Sequence, residues 1–179
     1  MTPGGDGTDP TGARIVDAAL ELLRSAGPRA VTMQAVTEAT GIAKTTIYRR
    51  HRDRRALLTA SLTKLAQQPR VDPAATPDQR LEWAIRQSVD VIVNGIGVGG
   101  FAALLTNEDP EFSDAFRGIL DSYRAPAVAA LDADTLDGDT VVDMIVGSYI
   151  TEFARSGTVD TNWAGRVFTQ LRSTDSPER

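Results

Sequence analysis

The sequence predicts an all-α protein of about nine helices. Apolar residues recur at helical spacing along most of the chain, and residues that favour helix starts and stops separate these segments. No segment alternates apolar and polar residues as a half-buried strand does. With 179 residues, of which 41% are hydrophobic, the chain can hold a small domain joined to a larger one.

The first helix follows a short polar arm. Residues 1–10 have no apolar side chain after Met1 and predict a disordered segment. Asp9 or Thr11 can cap the helix, and Gly27-Pro28 ends it. Its apolar positions are Ile15, Ala18, Ala19, Leu22 and Leu23.

Three short helices are predicted next. Thr32 can cap a second helix that runs to about Thr40, and Gly41 supplies a turn before a third helix over roughly 43–51. Asp53 can cap a fourth helix, whose apolar stripe is Leu58, Leu62 and Leu65. Prolines at 69 and 73 then predict a domain boundary near residue 70.

The remaining chain also predicts helices. Thr76-Pro77-Asp78-Gln79 is a strong helix start, and the glycines of 95–100 are expected to break the helix that follows. Short helices are predicted over about 101–106 and from Asp109-Pro110 onward, where Pro126 must kink or end the helix. After an acidic loop at 132–140, residues 140–156 are apolar almost all round, and a last helix covers about 160–172.

Charge is distributed unevenly between the two predicted parts. Residues 1–70 carry 11 basic and 6 acidic side chains, whereas residues 71–179 carry 8 basic and 18 acidic ones. A small basic module joined to a larger acidic one explains how a chain of net charge −5 could still bind a polyanion. The absence of cysteine excludes disulfides and thiolate catalysis, and a single histidine excludes a multi-histidine metal site.

The segment from Thr32 to His51 has the pattern of a helix-turn-helix. Ile42 and Ile47 are expected to face the first two helices. Lys44, Thr45, Tyr48 and Arg49 then share the outward face of the third helix, flanked by Thr46 and Arg50. These residue types suit guanine edges, thymine methyls and phosphates. Residues 49–55 also hold five arginines against one aspartate, which predicts strongly salt-sensitive DNA binding.

From Arg14 to Leu58 the sequence resembles the TetR family of bacterial regulators. The segment RIVDAALELLRSAG is followed by VTMQAVTEATGIAKTTIYRRHRDRRALL, in which residues 41–49 look like the family's turn and recognition helix. The resemblance implies that Thr32, Gln34, Lys44, Thr45, Thr46, Tyr48 and Arg49 contact DNA and that Arg54 holds a phosphate. Ala43, His51 and Arg52 depart from the residues that are usual in the family.

Other motifs have simpler explanations. The glycines of 95–100 follow a helix rather than a strand and lack a lysine-serine pair, so a loop between helices is favoured over a nucleotide site. The aspartates of 132–139 lack the twelfth-position glutamate of a calcium loop, so a solvated acidic loop is favoured over a calcium site. Glu108, Asp109 and Glu111 fit helix-start acids better than catalytic carboxylates. His51 is expected to pack or to contact the backbone rather than to act as a pH switch.

Seven aromatic residues are candidates for lining a ligand cavity, although core packing explains each of them as well. They are Trp83, Phe101, Phe112, Phe116, Tyr123, Tyr149 and Phe153.

Taken together, these features predict a disordered arm (1–10), a helix-turn-helix DNA-binding domain (11–70) and a helical effector-binding and dimerisation domain (71–179). We expect a cytoplasmic regulator without cofactor, metal, membrane segment or enzymatic activity, and repression as its mode of action. Its partners would be palindromic double-stranded operator DNA, a second copy of the chain and a small-molecule effector. The main alternative is a helical protein that binds or sequesters a small molecule with little specific DNA binding, and an enzyme is the third class.

Overall fold

The computed structural model describes residues 9–67, 70–131 and 137–174, and all regular structure in these ranges is helical. The all-α prediction of about nine helices is therefore confirmed. The helices are α1 (Pro10–Ala26), α2 (Met33–Thr40), α3 (Lys44–Arg50), α4 (Arg54–Leu65), α5 (Pro77–Asp90), α6 (Gly97–Thr106), α7 (Pro110–Ala130), α8 (Gly138–Ser156) and α9 (Trp163–Thr174). A 3₁₀ turn, Pro28–Ala30, follows α1, and a π-helical segment, Val91–Ile96, joins α5 to α6.

Several helices begin at the capping residues that the sequence predicts. The Asp9 carboxylate accepts a hydrogen bond from Gly12 N at 3.1 Å, and Pro10 begins α1. Residues 1–8 of the predicted arm lie outside the described residues, whereas Asp9 and Pro10 belong to the helix start. The Thr76 hydroxyl and the Gln79 side chain form a reciprocal capping box at the start of α5.

The glycines of 95–100 behave differently from the prediction. They do not form the expected loop: regular α5 ends at Asp90, but α6 begins at Gly97, four residues earlier than expected. The irregularity is the π-helical segment together with the left-handed conformation of Gly97 (φ 70°), while Gly99 and Gly100 adopt helical conformations. The proline in α7 does not end that helix either, since α7 continues through Pro126 to Ala130, where Ala127 and Ala130 are buried.

The run Pro77–Thr106 is the one stretch within the described ranges that is long and apolar enough to cross a membrane. Buried helices of soluble proteins meet the same criterion of length and composition, so the finding is weak evidence for a membrane segment.

The chain forms two compact units. The first unit comprises the described residues of Met1–Leu65 together with Gly95–Gly118, and the second comprises those of Ala66–Asn94 and Ile119–Arg179. Residues 95–118 therefore pack with the N-terminal helices, although they lie beyond the boundary predicted near residue 70. The assignment of functions to the predicted domains stays a prediction.

In the first unit, α1 is the central helix. It packs against α2, α4 and α6, and its residues Ile15, Ala19 and Leu23 are buried. The approach of α6 depends on Gly97, because a Cβ atom there would lie 2.9 Å from the carbonyl oxygen of Arg24. The helix-turn-helix is thus held from behind by α1, which packs against both α2 and α4.

In the second unit, α5 packs against α8 and α9. The core of this packing consists of Ile85, Val89, Val141, Ile145, Trp163 and Leu171. The ring of Tyr149 meets that of Trp163 edge to face with centroids 5.2 Å apart, and Trp163 Nε1 donates to Ser148 Oγ at 3.1 Å.

Candidate nucleic-acid interface

The third helix is anchored by a buried isoleucine and a left-handed glycine. Gly41 ends α2 with φ 67°, a conformation that favours glycine, and lets the chain reverse into α3. Ile47 is fully buried, and Ile42 is half-buried at the turn. The apolar side of α3 therefore packs inward as the sequence predicts, and its other side faces solvent.

That exposed side is a contiguous polar surface, which we call the reading face: Lys44, Thr45, Tyr48 and Arg49. All four residues are exposed, and Tyr48 keeps 43% of its surface accessible although it is a large aromatic residue. Lys44 Nζ lies 5.7 Å from the centroid of the Tyr48 ring, at the distance of a cation–π contact. This contact holds the ring and the ammonium group one helical turn apart on the same face.

The residues that flank the reading face are less accessible than the face itself. Thr46 is half-buried, and the guanidinium of Arg50 forms an ion pair with the Asp9 carboxylate, which also caps α1. Sequence reasoning missed this pair because the two residues are 41 positions apart. Ala43 caps α3 without a side-chain hydrogen bond, so first-turn N–H groups of this helix lack the usual acceptor.

Two predicted contacts lie on α2 rather than α3. Thr32 is exposed and caps α2 by accepting a hydrogen bond from Ala35 N at 3.0 Å, which leaves its hydroxyl proton available as a donor. Gln34 is also exposed, and its Nε2 donates to Glu38 Oε1 at 2.9 Å. Both side chains have the chemistry for phosphate contacts, and their roles stay predictions.

Arg54 is used differently from the prediction that it holds a phosphate. Its side chain is only 22% exposed, and all three guanidinium nitrogens donate within the protein. Nε donates to the Val31 carbonyl at 2.7 Å, and Nη2 to the Pro28 carbonyl at 2.7 Å. The same group pairs with Asp109 at 2.5 Å and with Glu111 at 2.6 Å. Because its donors are already engaged, we leave Arg54 out of the proposed DNA contacts.

The partners of Arg54 lie at the corner between α6 and α7. Asp109 also accepts from Phe112 N at 3.1 Å, which agrees with its interpretation as a helix-start acid, and Arg29 pairs with Glu108 at 3.1 Å. Burial opposes the charge of Asp109, but the hydrogen bonds from Arg54 and Phe112 lower the pKa of this carboxyl overall. These ion pairs tie the connection between α1 and α2 to residues that follow about 80 positions later.

His51 ends α3 in a buried position. Only 9% of it is exposed, and it forms a hydrogen bond with the backbone of Ala56. Burial lowers the pKa of the imidazole, and the charge of Arg50 acts in the same direction. The histidine is therefore neutral at neutral pH and packs at the end of the helix, as expected from the sequence.

The seven candidate aromatic residues do not form one group. Phe101, Phe112 and Phe116 belong to the first unit, where the rings of Phe112 and Phe116 lie 6.1 Å apart. The second unit holds the other four, which are Trp83, Tyr123, Tyr149 and Phe153. Phe112, Phe116 and Tyr123 are buried, and the others are half-buried. Their role in ligand binding stays a prediction.

Comparison with known proteins agrees with this geometry. Residues 15–60 match the family model of bacterial regulatory proteins of the tetR family. Among curated proteins, none matches the chain. The matched range contains α2, the turn and α3, and hence the whole reading face.

Two solved structures share the fold. One is a TetR transcriptional regulator from Agrobacterium tumefaciens, with a TM-score of 0.64 and 19% identity over 93% of this chain and 92% of that one. The other is the multidrug binding protein EbrR in complex with ethidium, with a TM-score of 0.57 and 20% identity over 92% of this chain and 99% of that one. At these identities the likeness shows a shared fold. The chain therefore carries a TetR-family helix-turn-helix domain, typical of DNA-binding transcriptional regulators, within a TetR-like fold.

Proposed function

We propose that the protein is a cytoplasmic, ligand-responsive repressor that binds a palindromic operator as a homodimer. The observation that carries this proposal is the reading face of α3, which is exposed, cationic and anchored by the buried Ile47 within a TetR-family domain. A recognition helix needs this combination, because its outer side must enter the major groove while its inner side stays fixed to the domain.

The reading face supplies both kinds of DNA contact. Arg49 and Lys44 can donate to guanine edges or to phosphates, and the Tyr48 hydroxyl can donate to a phosphate. Thr45 and Thr46 can contact a thymine methyl or the backbone. Thr32 and Gln34 on α2 would approach the phosphates from the other side of the turn. Base contacts would determine which operator sequence is recognised, and phosphate contacts would position the protein on the duplex.

The proposed dimer forms through α8 and α9. Val141, Val142 and Ile145 bury one side of α8 within the second unit, but Met144 on the same helix is 58% exposed. Met144 lines a cleft of about 290 Å³ between α8 and α9, together with Ser148, Val167 and Gln170. A two-fold axis through this face would pair each α8 and α9 with its copy and present two reading faces to the two halves of a palindrome.

The proposed effector binds in the second unit. The EbrR protein, which shares this fold, is described as a multidrug binding protein and was solved with ethidium. Four of the candidate aromatic side chains of this chain lie in the second unit. An effector would release the operator only if it binds the DNA-incompetent arrangement more tightly than the competent one.

In vitro selection from a library of random DNA duplexes tests the DNA-binding proposal. The wild type should enrich an inverted repeat, and the Tyr48→Ala/Arg49→Ala variant should enrich nothing. Arg86→Ala is the matched control, since Arg86 is an exposed arginine of the second unit that pairs with Glu82 at 3.4 Å. Normal enrichment by the double variant would refute the assignment of the reading face. Failure of the wild type, together with retained ligand binding, would favour a sequestering protein.

Light scattering coupled to size exclusion tests the dimer. Met144→Glu should give a monomer, because two charges would be placed in the contact. Leu105→Glu provides the control, since Leu105 is even more exposed at 72% but lies in the first unit. A monomeric wild type at micromolar concentration would contradict the dimer.

A further inference from the structure

Helix α5 is buried on two sides, and one of these sides carries polar residues. Ile85 and Val89 face α8 and α9. A second buried stripe at helical spacing consists of Ala84, Gln87 and Ser88, followed by Val91 of the π-helical segment. The stripe therefore places an amide and a hydroxyl in the interior of the second unit.

The Nε2 group of Gln87 lacks a hydrogen-bond partner among the described residues. The residue is 6% exposed, and its Nε2 is buried without an acceptor. The neighbouring Ser88 differs, because its hydroxyl donates to the Ala84 carbonyl at 2.7 Å within the same helix. A buried donor without an acceptor destabilises a protein, so an apolar residue would stabilise the core better. The retained amide thus points to a bound acceptor.

Tyr123 of α7 lies against the backbone of Gln87. It is 3% exposed, and its hydroxyl donates to the backbone carbonyl of Gln87 at 3.3 Å. Burial raises the pKa of the phenol, and the charge of Asp90 raises it further, so the hydroxyl stays protonated. The bond holds the tip of the Tyr123 side chain against the backbone of the residue that carries the unpaired Nε2 group.

We propose that Gln87 Nε2 is the polar anchor of the effector site and that it donates a hydrogen bond to an oxygen or nitrogen acceptor of an uncharged, flat, apolar ligand, with Tyr123 beside it. The inference rests on the proposed function and specifies the class of effector. It also goes beyond the neighbouring structure, since ethidium is a cation.

The ligand is assigned as uncharged because of the charges around the site. Within the described part of the second unit, the buried side chains with polar groups are Gln87, Ser88, the Tyr123 phenol and the Trp163 indole. None of them carries a charge that could compensate that of a ligand, and an unpaired charge is very unfavourable in such an interior. The carboxylate that acts on Tyr123 is Asp90, which is half-buried and accepts from Asn94 Nδ2 at 2.7 Å.

The test uses two probes that differ only in the acceptor: 9-fluorenone, which has a carbonyl oxygen, and fluorene, which has none. Binding to the full chain without DNA is measured by calorimetry and thermal shift. The wild type should bind fluorenone about tenfold more tightly than fluorene, because a site with a free donor discriminates against a ligand that leaves it unpaired. Gln87→Met, of nearly the same length, should bind the two probes equally. Ser88→Ala should keep the wild-type preference.

The stability of the unliganded variants provides an independent readout. Gln87→Met and Gln87→Leu should unfold at a higher temperature than the wild type, since each removes an unpaired donor. A lower unfolding temperature for both variants would show that the amide has a structural partner and would overturn the proposal. Equal binding of the two probes by the wild type, or binding of neither, would also overturn it.

The outcomes separate this inference from the proposed function. Gln87-dependent fluorenone binding that leaves operator affinity unchanged would support the site and refute the ligand response. A protein that binds its operator normally but does not distinguish the two probes would refute the Gln87 site and leave the proposed DNA-binding function intact.

Discussion

Removing the guanidinium of Arg54 is expected to destabilise the protein by about 3–5 kcal/mol. That is the usual loss when one partner of a buried ion pair is deleted, because the other charge is left without compensation. Here the Asp109 side chain is 8% exposed and would keep the hydrogen bond from Phe112 N. The Val31 carbonyl would lose the donor Nε as well, whereas the Pro28 carbonyl would keep the hydrogen bond from Val31 N.

Urea unfolding of Arg54→Met followed by circular dichroism measures this loss. Arg117→Ala is the control, since Arg117 is 56% exposed, pairs with Asp114 at 3.6 Å and should contribute less than about 1 kcal/mol. In a double-mutant cycle, Arg54→Met/Asp109→Leu should recover part of the loss, because the unpaired carboxylate is then absent.

The result also decides between two roles for Arg54. An arginine that binds phosphate would be dispensable for stability, and its loss would weaken DNA binding alone. Two results would refute a stabilising role for Arg54 within the protein. One is an Arg54→Met variant whose free energy of unfolding lies within about 1 kcal/mol of the wild type, and the other is a double-mutant cycle with no coupling between Arg54 and Asp109.

Three further predictions concern the same unit. Ala43→Ser should raise the free energy of unfolding by about 0.5–1 kcal/mol by supplying the missing cap of α3, and an unchanged urea midpoint would contradict this. Gly97→Ala should lower the urea midpoint, since φ is 70° and the new Cβ would meet the Arg24 carbonyl, whereas Gly99→Ala in open space should not. Stability should fall as the pH drops below 6.5, because the pKa of His51 is lowered in the folded state and the unfolded chain binds the proton first. His51→Phe should weaken that pH dependence between pH 7.5 and 5.5, and an identical dependence in the variant would show that other groups cause it.

Local sequence signals predicted the helices and the reading face. Some of these signals act within a few residues and can be identified without knowledge of the tertiary structure. They include the caps at Thr32 and Thr76 and the left-handed glycine at position 41. The inward Ile47 and the outward Tyr48 follow from helical periodicity alone. These are the features on which the candidate interface depends.

Long-range pairs could not be predicted in the same way. Arg54 and Asp109 are 55 positions apart, and each has an ordinary local explanation, one as a phosphate ligand and the other as a helix-start acid. The start of α6 at Gly97 was not predicted, because glycine permits a loop without requiring one. Only the packing of α6 against α1 selects between these possibilities.

The salt dependence of operator affinity tests the central claim most directly. Fluorescence anisotropy on the selected duplex gives the slope of log K against log salt concentration for the wild type and for Lys44→Ala/Arg49→Ala. The slope should become shallower by about 0.9 for each phosphate contact that is lost, and Arg86→Ala should keep the wild-type slope. Identical slopes and affinities for the wild type and the double variant would show that the exposed face of α3 does not bind DNA.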